Sequence, residues 1–141
     1  MFNVKQTLLQ HKGFIDNEYL ELYCRLVEQN GRTPMLGGLT NKHHIIPRSW
    51  FKLNHQAVDN SPSNLVNLVY RNHVLAHYYL ALCTENELQF ANELALICLV
   101  SRKQLSVVDK QLVASLPMYN KIYESYRAKC KSNYQLYEDS E

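Results

Sequence analysis

The sequence has no closely spaced cysteine pair, no long apolar run and no strong excess of charge. Without a Cys-x-x-Cys segment it offers neither half of a zinc ribbon nor a redox motif. The most apolar window, residues 94–100, is far shorter than a membrane span, and residues 1–10 lack the apolar core of a signal peptide. We therefore expect a cytoplasmic protein without a membrane segment and with reduced thiols at Cys24, Cys83, Cys98 and Cys130. Two disulfides in a secreted chain remain the alternative.

Charge and composition allow many functions. The net charge of +2 permits binding to nucleic acid without requiring it. A hydrophobic fraction of 46% with 20% charged residues is typical of a globular protein. We find no internal repeat and no low-complexity segment. At 141 residues, the chain is predicted to form a single domain.

Turn-forming residues divide the chain into three parts. Three of the four glycines and one proline fall within residues 30–40, which predicts a linker. Before it, apolar residues at three- and four-residue steps predict a helix over residues 15–29, with Asp16 as its N-cap. After it, short runs at 40–46 and 65–69 predict two strands joined by a long loop. We therefore assign residues 1–38 to an N-terminal helix and linker, 39–84 to the core, and 85–141 to C-terminal helices.

Helical periodicity returns after the second predicted strand and continues through the C-terminal half. It predicts helices over residues 71–82, about 85–102 and about 108–134. Pro117 lies inside the last of these, where a proline kinks or breaks a helix. The second half of the chain is thus expected to be mostly helical.

His73 and His77 are four residues apart on the first of these helices. They should lie about one turn apart on the same face, a spacing that lets two imidazoles bind one metal ion. The same spacing also occurs in incidental surface pairs. The histidine pair therefore indicates a metal site only in combination with other residues.

His43 and His44 are adjacent on a predicted strand, where successive side chains point to opposite faces. One of them could complete a metal site with the helical pair. The other could act as a general base, because a neutral imidazole near pH 7 readily accepts a proton from water. The alternative is that one histidine is half-buried and hydrogen-bonded within the hairpin while the other is solvated.

The order of these residues resembles the His-Asn-His (HNH) nuclease motif. The matching strings are HHIIPRS, beginning at His43, and NLVNLVYRNHVLAH, beginning at Asn64. The likeness is to colicin-type DNases and to free-standing phage and mobile-element endonucleases, and it covers residues 43–77 of the 141. It implies an α+β fold in which a ββα-metal finger, a two-stranded antiparallel hairpin plus a helix, is embedded in a mostly helical single domain.

The resemblance also implies roles for individual residues. His44 would be the general base that activates the attacking water, and Asn64 would be structural, its side-chain amide bonding across the hairpin loop. One divalent cation would be held by His43, His73 and His77. Mg²⁺ is our working cofactor, with Mn²⁺ as an alternative, because members of the family commonly turn over with these two metals. Zn²⁺ and Ni²⁺ are alternatives because three histidines suit such metals, as they also suit Co²⁺.

The resulting prediction is a metal-dependent endonuclease that hydrolyses phosphodiester bonds of double-stranded DNA, by nicking or by double-strand cutting. Arg48 and Arg71 flank the predicted site and are expected to contact phosphate bidentately, with an ordinary surface salt bridge as the alternative. Two other functions fit the same residues. One is a non-catalytic, zinc-stabilised DNA-binding module in which His44 is idle, and the other is a nuclease acting on RNA.

The sequence departs from the broader motif in two respects. The interval between the histidine pair and Asn64 is long, which predicts an insertion in the hairpin loop. His55 in this loop is interpreted as facing solvent or DNA, because the motif is complete without it. No cysteine pairs flank the motif as they do in relatives with a zinc knuckle, so stability is expected to come from the flanking helices and the core.

Overall fold

The computed structural model describes residues 3–30 and 40–139, and most of these residues are helical. The predicted linker lies for the most part outside them. One two-stranded antiparallel sheet accompanies the helices, so the α+β class is confirmed. In chain order the elements are α1 (Val4–Leu9), α2 (Glu18–Asn30), β1 (Thr40–His44), α3 (Arg48–Leu53), a single 3-10 turn (Pro62–Asn64), β2 (Leu65–Val69), α4 (Tyr70–Leu82), α5 (Asn86–Ser101), α6 (Val107–Ala114) and α7 (Tyr119–Asp139).

Helix α2 begins later than predicted, and its cap is Asn17. The Oδ1 atom of Asn17 accepts hydrogen bonds from the backbone N–H groups of Tyr19 at 3.0 Å and Leu20 at 3.1 Å. Such a bond satisfies donors that the first turn of a helix leaves without a partner. The prediction of Asp16 as the cap is wrong by one position, because the Asp16 carboxylate instead pairs with the Lys5 ammonium group at 3.3 Å.

The two strands form a hairpin whose register places His44 opposite Leu65. Strand β2 has the predicted bounds, whereas β1 ends at His44, before the predicted limit of residue 46. The backbone N–H of Ile46 bonds at 2.8 Å to the side chain of Asn64 instead of to a strand carbonyl, and a proline follows it. Helix α4 begins directly after β2, which brings its first turns close to the sheet.

The loop of the hairpin contains a helix, α3, which the sequence did not predict. Its adjacent aromatic residues, Trp50 and Phe51, are both buried in the core. The indole N–H of Trp50 also donates to the carbonyl oxygen of Lys12 at 2.9 Å. The inserted loop is therefore held by apolar contacts and by a hydrogen bond to the N-terminal part of the chain.

Helix α4 lies between two hydrophobic clusters. Ala76 and Leu80 contribute to a cluster shared with α1, α2, α3 and the sheet. Val74, Tyr78 and Ala81 contribute to a second cluster shared with α5, α6 and α7. Burial on both sides fixes the rotation of α4 about its axis, and with it the direction of the face that carries its histidines.

The C-terminal helices follow the predicted pattern. Helix α5 matches the periodic stretch closely, and the predicted interruption near Pro117 is confirmed, because α6 ends at Ala114 and α7 begins at Tyr119. The four cysteines are free thiols. Among the described residues, no helix combines the length and the apolar character needed to cross a membrane.

Candidate metal centre

Three histidines from two elements meet beside the hairpin. His43 comes from β1, and His73 and His77 come from α4. One ring nitrogen of each lies within 4.8 Å of the others. In a tetrahedral zinc site with bonds of about 2.0–2.1 Å, ligand nitrogens lie roughly 3.4 Å apart, so small side-chain rotations would close the remaining gap. The arrangement therefore fits a single divalent cation.

Burial keeps the three imidazoles in their neutral form. Burial, reinforced by His77, His73 and His44, lowers the pKa of His43 well below its usual value. Burial and the nearby Arg102 guanidinium lower the pKa of His73 to about 4. Burial and the adjacent His73 lower the pKa of His77 to about 3. At neutral pH the cluster thus presents lone pairs rather than protons, which is the state that binds a metal ion.

The three imidazoles of the cluster differ in the hydrogen-bond partners of their ring nitrogens. The Nε2 atom of His43 lies 2.7 Å from the Tyr23 hydroxyl group. The Nδ1 atom of His73 lies 3.1 Å from Oδ1 of Asn41. The Nδ1 atom of His77 is buried, and no hydrogen bond of ordinary length reaches it from the described residues, although the Asn92 side chain lies close enough to raise the pKa of His77 slightly. A buried polar atom without a partner carries a desolvation cost, which often marks a site for an additional ligand.

His44 lies beside the cluster but is held differently. Strand alternation turns its side chain away from that of His43, and it is half-buried rather than fully buried. Its Nε2 atom lies 2.8 Å from Oδ1 of Asn60, an oxygen that can only accept. This contact favours the tautomer with its proton on Nε2 and a lone pair on Nδ1. Such a nitrogen can accept a proton from water.

A cavity of about 290 Å³ brings these groups together. The three clustered histidines and His44 all line it, as do Lys42 and Arg48. Both of these cationic residues are exposed. The cavity therefore combines a candidate cation site, a basic imidazole and positive charge in one place.

Arg71, the second arginine singled out from the sequence, lies elsewhere. It is exposed on the first turn of α4 and is not among the described residues that line the cavity. His55 is likewise exposed, with a φ of 55°, and lies outside the histidine cluster. Of the two arginines singled out from the sequence, Arg48 is therefore the one that lines the cavity.

Asn64 joins the two ends of the hairpin loop. Its side chain is buried, and its Nδ2 donates to the carbonyl oxygens of Asp59 at 2.9 Å and Ile46 at 3.3 Å. Its Oδ1 accepts from the Ile46 N–H at 2.8 Å. The amide uses both its donors and its acceptor to fix the chain immediately after His44.

Sequence reasoning missed four polar residues at the site: Tyr23, Asn41 and Asn60, which hydrogen-bond to its histidines, and Asn92, which lines the cavity beside His77. Strand alternation could have found Asn41, because it lies two residues before His43 and therefore on the same face of β1. Tyr23 could not be found in this way, since its spacing in α2 is that of an ordinary core residue. Asn60 follows no periodic pattern in its loop.

Comparison of the chain with protein-family models, with curated proteins and with solved structures gives no match.

Proposed function

We propose that the protein is a metal-dependent endonuclease that hydrolyses phosphodiester bonds of DNA, and that β1, β2 and α4 form a ββα-metal finger of the HNH type. The observation that supports this most directly is that the four histidines of one cavity form a cluster of three and one separate residue. Three neutral imidazoles converge on a common point, while His44 stands apart, with Nε2 hydrogen-bonded to Asn60 and no described residue bonded to Nδ1. Phosphodiester hydrolysis needs these two functions from separate groups.

His43, His73 and His77 would hold one divalent cation. When bound, it would supply Lewis-acid stabilisation of the charge on the phosphate and on the leaving 3′-oxygen. Neutral imidazole ligands do not cancel the charge of the ion, which favours an anionic substrate. A set of three protein nitrogens also leaves coordination positions open, as a catalytic site requires. Mg²⁺ is the working cofactor, with Zn²⁺, Mn²⁺ and Ni²⁺ as alternatives.

His44 would take a proton from the attacking water at Nδ1. Its bond to Asn60 holds the ring in one orientation and one tautomer, so no reorganisation is needed before the proton is transferred. Asn64 supports this step from a distance, because its amide fixes the backbone next to His44. It is a positioning residue, since its hydrogen bonds run to backbone atoms of the loop.

Double-stranded DNA is the proposed substrate. Lys42 and Arg48 would place positive charge where the phosphate backbone enters the cavity, and a guanidinium can bind two phosphate oxygens at once. Arg71 would contact phosphates farther along the duplex.

The test is cleavage of supercoiled plasmid with Mg²⁺, Mn²⁺, Ni²⁺ and Zn²⁺ supplied in turn. We expect His44→Ala to slow cleavage by about 10²- to 10⁴-fold, the usual contribution of a general base, while metal content and circular dichroism stay unchanged. His55→Ala is the matched control, because it removes an exposed loop histidine outside the cavity, and it should cleave at the wild-type rate.

Two outcomes would favour the other functions. A wild-type protein that binds duplex DNA and metal yet cleaves with none of the four cations would be a non-catalytic, zinc-stabilised binding module. Faster cleavage of RNA than of single-stranded or duplex DNA would identify a ribonuclease. Either result would contradict the proposal.

A further inference from the structure

We propose that Tyr23 and Asn41 are positioning residues that select one tautomer each for His43 and His73, so that His43 faces the cation through Nδ1 and His73 through Nε2. The inference rests on the proposed metal centre and adds to it two residues outside the motif strings. Both act through a histidine and neither is placed in contact with the ion.

The Tyr23 hydroxyl group determines the tautomer of His43. It lies 2.7 Å from the carbonyl oxygen of Ile45 and 2.7 Å from Nε2 of His43. The carbonyl oxygen can only accept, so the single hydroxyl proton is donated to Ile45. The hydroxyl oxygen must then accept from His43, which places the imidazole proton on Nε2. The lone pair is left on Nδ1.

These three residues leave little freedom for another arrangement. Tyr23 is 0% exposed, and Ile45 and His43 are each 2% exposed, so water cannot replace either partner. The two aromatic rings also meet edge to face, with centroids 5.8 Å apart. The ring of His43 is therefore fixed in both orientation and protonation by helix α2.

Asn41 determines the tautomer of His73 in a similar way. It lies on the same face of β1 as His43, two residues earlier. Its Oδ1 atom lies 3.1 Å from Nδ1 of His73 and can only accept a hydrogen bond. The proton of the neutral ring is then on Nδ1, and Nε2 carries the lone pair.

Both histidines thus enter the centre with a bare nitrogen already selected. A hydrogen bond from the outer N–H of a metal-binding histidine fixes the ring and raises the basicity of the inner nitrogen. Neither ring would have to move its proton before binding a cation. Helix α2, whose periodicity marks it as a core helix, would in this way be part of the metal centre.

The first experiment reads the tautomers directly in the metal-free protein. Long-range ¹H–¹⁵N correlation spectra at pH 7.5, with chelator present, should show the proton on Nε2 of His43 and on Nδ1 of His73. The opposite tautomer at His43 would overturn the role of Tyr23, and the opposite tautomer at His73 would overturn that of Asn41. This measurement needs neither metal nor DNA cleavage, so its failure is distinct from failure of the nuclease proposal.

The second experiment measures Zn²⁺ affinity by competition with a chelator. Tyr23→Phe should lower the affinity by about 10- to 100-fold and give His43 a mixture of tautomers. Tyr78→Phe is the matched control: it removes another buried hydroxyl group, one that accepts from the Met118 N–H at 3.2 Å within the other hydrophobic cluster. Equal Zn²⁺ affinity in the two variants would overturn the proposal for Tyr23.

Variants at Asn41 keep the proposal testable if Tyr23→Phe fails to fold. Asn41 is on the hairpin edge and only half-buried, so its replacement disturbs the core less. Asn41→Leu removes the acceptor and should lower Zn²⁺ affinity by about 10-fold or more, whereas Asn41→Asp keeps an acceptor and should retain the affinity. Equal losses in both variants would show that the amide has only a structural role.

Discussion

Two regions of the molecule bury polar side chains, and they differ in whether those groups are fully paired. Between α5 and α7, the carboxylate of Glu93 is 1% exposed and accepts from the Lys129 ammonium group at 2.8 Å. The same ammonium group donates to the side chain of Gln89 at 2.9 Å. Beside the hairpin, by contrast, no hydrogen bond of ordinary length reaches the buried Nδ1 atom of His77 from the described residues.

The difference separates a structural role from a chemical one. A buried charge that is paired and hydrogen-bonded meets the ordinary requirement for burial. A buried nitrogen without a hydrogen-bond partner does not meet it without a further ligand, and here it belongs to one of three imidazoles that converge on one point. We therefore expect changes to the first region to alter the free energy of unfolding, and changes to the second to alter metal binding and the response to acid.

The largest expected effect is loss of stability in acid when no metal is present. The pKa values of His43, His73 and His77 are all lowered by burial, to about 4 for His73 and about 3 for His77. The unfolded chain, with ordinary histidine pKa values near 6.5, then binds more protons than the folded chain below that pH. Their contribution to stability is complete above pH 6.5 and is lost as the pH falls towards the folded values.

Each of these histidines should contribute about 1 kcal/mol to this loss between pH 6.5 and 5.5 and about 1.4 kcal/mol over the next pH unit, or roughly 7 kcal/mol for the three down to pH 4.5. Urea denaturation at stepped pH with chelator present would measure the slope. His77→Gln should make it shallower, whereas His55→Gln should leave it unchanged. An identical slope in both variants would contradict the assignment of the acid response to the cluster.

Breaking the paired region should destabilise the protein by a smaller amount. Lys129→Met leaves the Glu93 carboxylate buried and without its cation, which we expect to cost about 3 kcal/mol, the lower end for such pairs because Lys129 retains some contact with solvent. Urea denaturation at pH 7.5 is the measurement. Zn²⁺ affinity of the folded variant should equal that of the wild type. A tenfold change in that affinity would show that the two regions are coupled.

The features that sequence could predict are those encoded by local periodicity. The bounds of β2, the helix that carries His73 and His77, and the interruption near Pro117 all follow from patterns within a few residues. The meeting of His43 with these two histidines follows from the antiparallel hairpin and from the direct continuation of β2 into α4. None of these features requires knowledge of side-chain contacts between distant parts of the chain.

The features that sequence missed depend on contacts between distant parts of the chain. Helix α3 is six residues long, too short to be stable alone, and it forms where Trp50 and Phe51 can be buried. Tyr23 has the spacing of a core residue, and periodicity does not reveal where its hydroxyl group points. The cap of α2 was misplaced for a related reason, since Lys5 on α1 competes for the carboxylate of Asp16.

Replacement of His77 is expected to cause the smallest change in free energy, and it is the most selective test of the histidine cluster. His77→Ala removes one of three ligands, and Zn²⁺ affinity should fall by more than about 100-fold, beyond the range expected for outer partners, which corresponds to about 2.7 kcal/mol. Competition with a chelator measures this loss, and His55→Ala should bind as tightly as the wild type.

Metal-free His77→Ala should be no less stable than the metal-free wild type at pH 5.5, because a buried imidazole that resists protonation has been removed. Unchanged or higher acid stability together with loss of metal binding would be the reverse of the behaviour of Lys129→Met. A variant that lost both properties would show that His77 is an ordinary core residue.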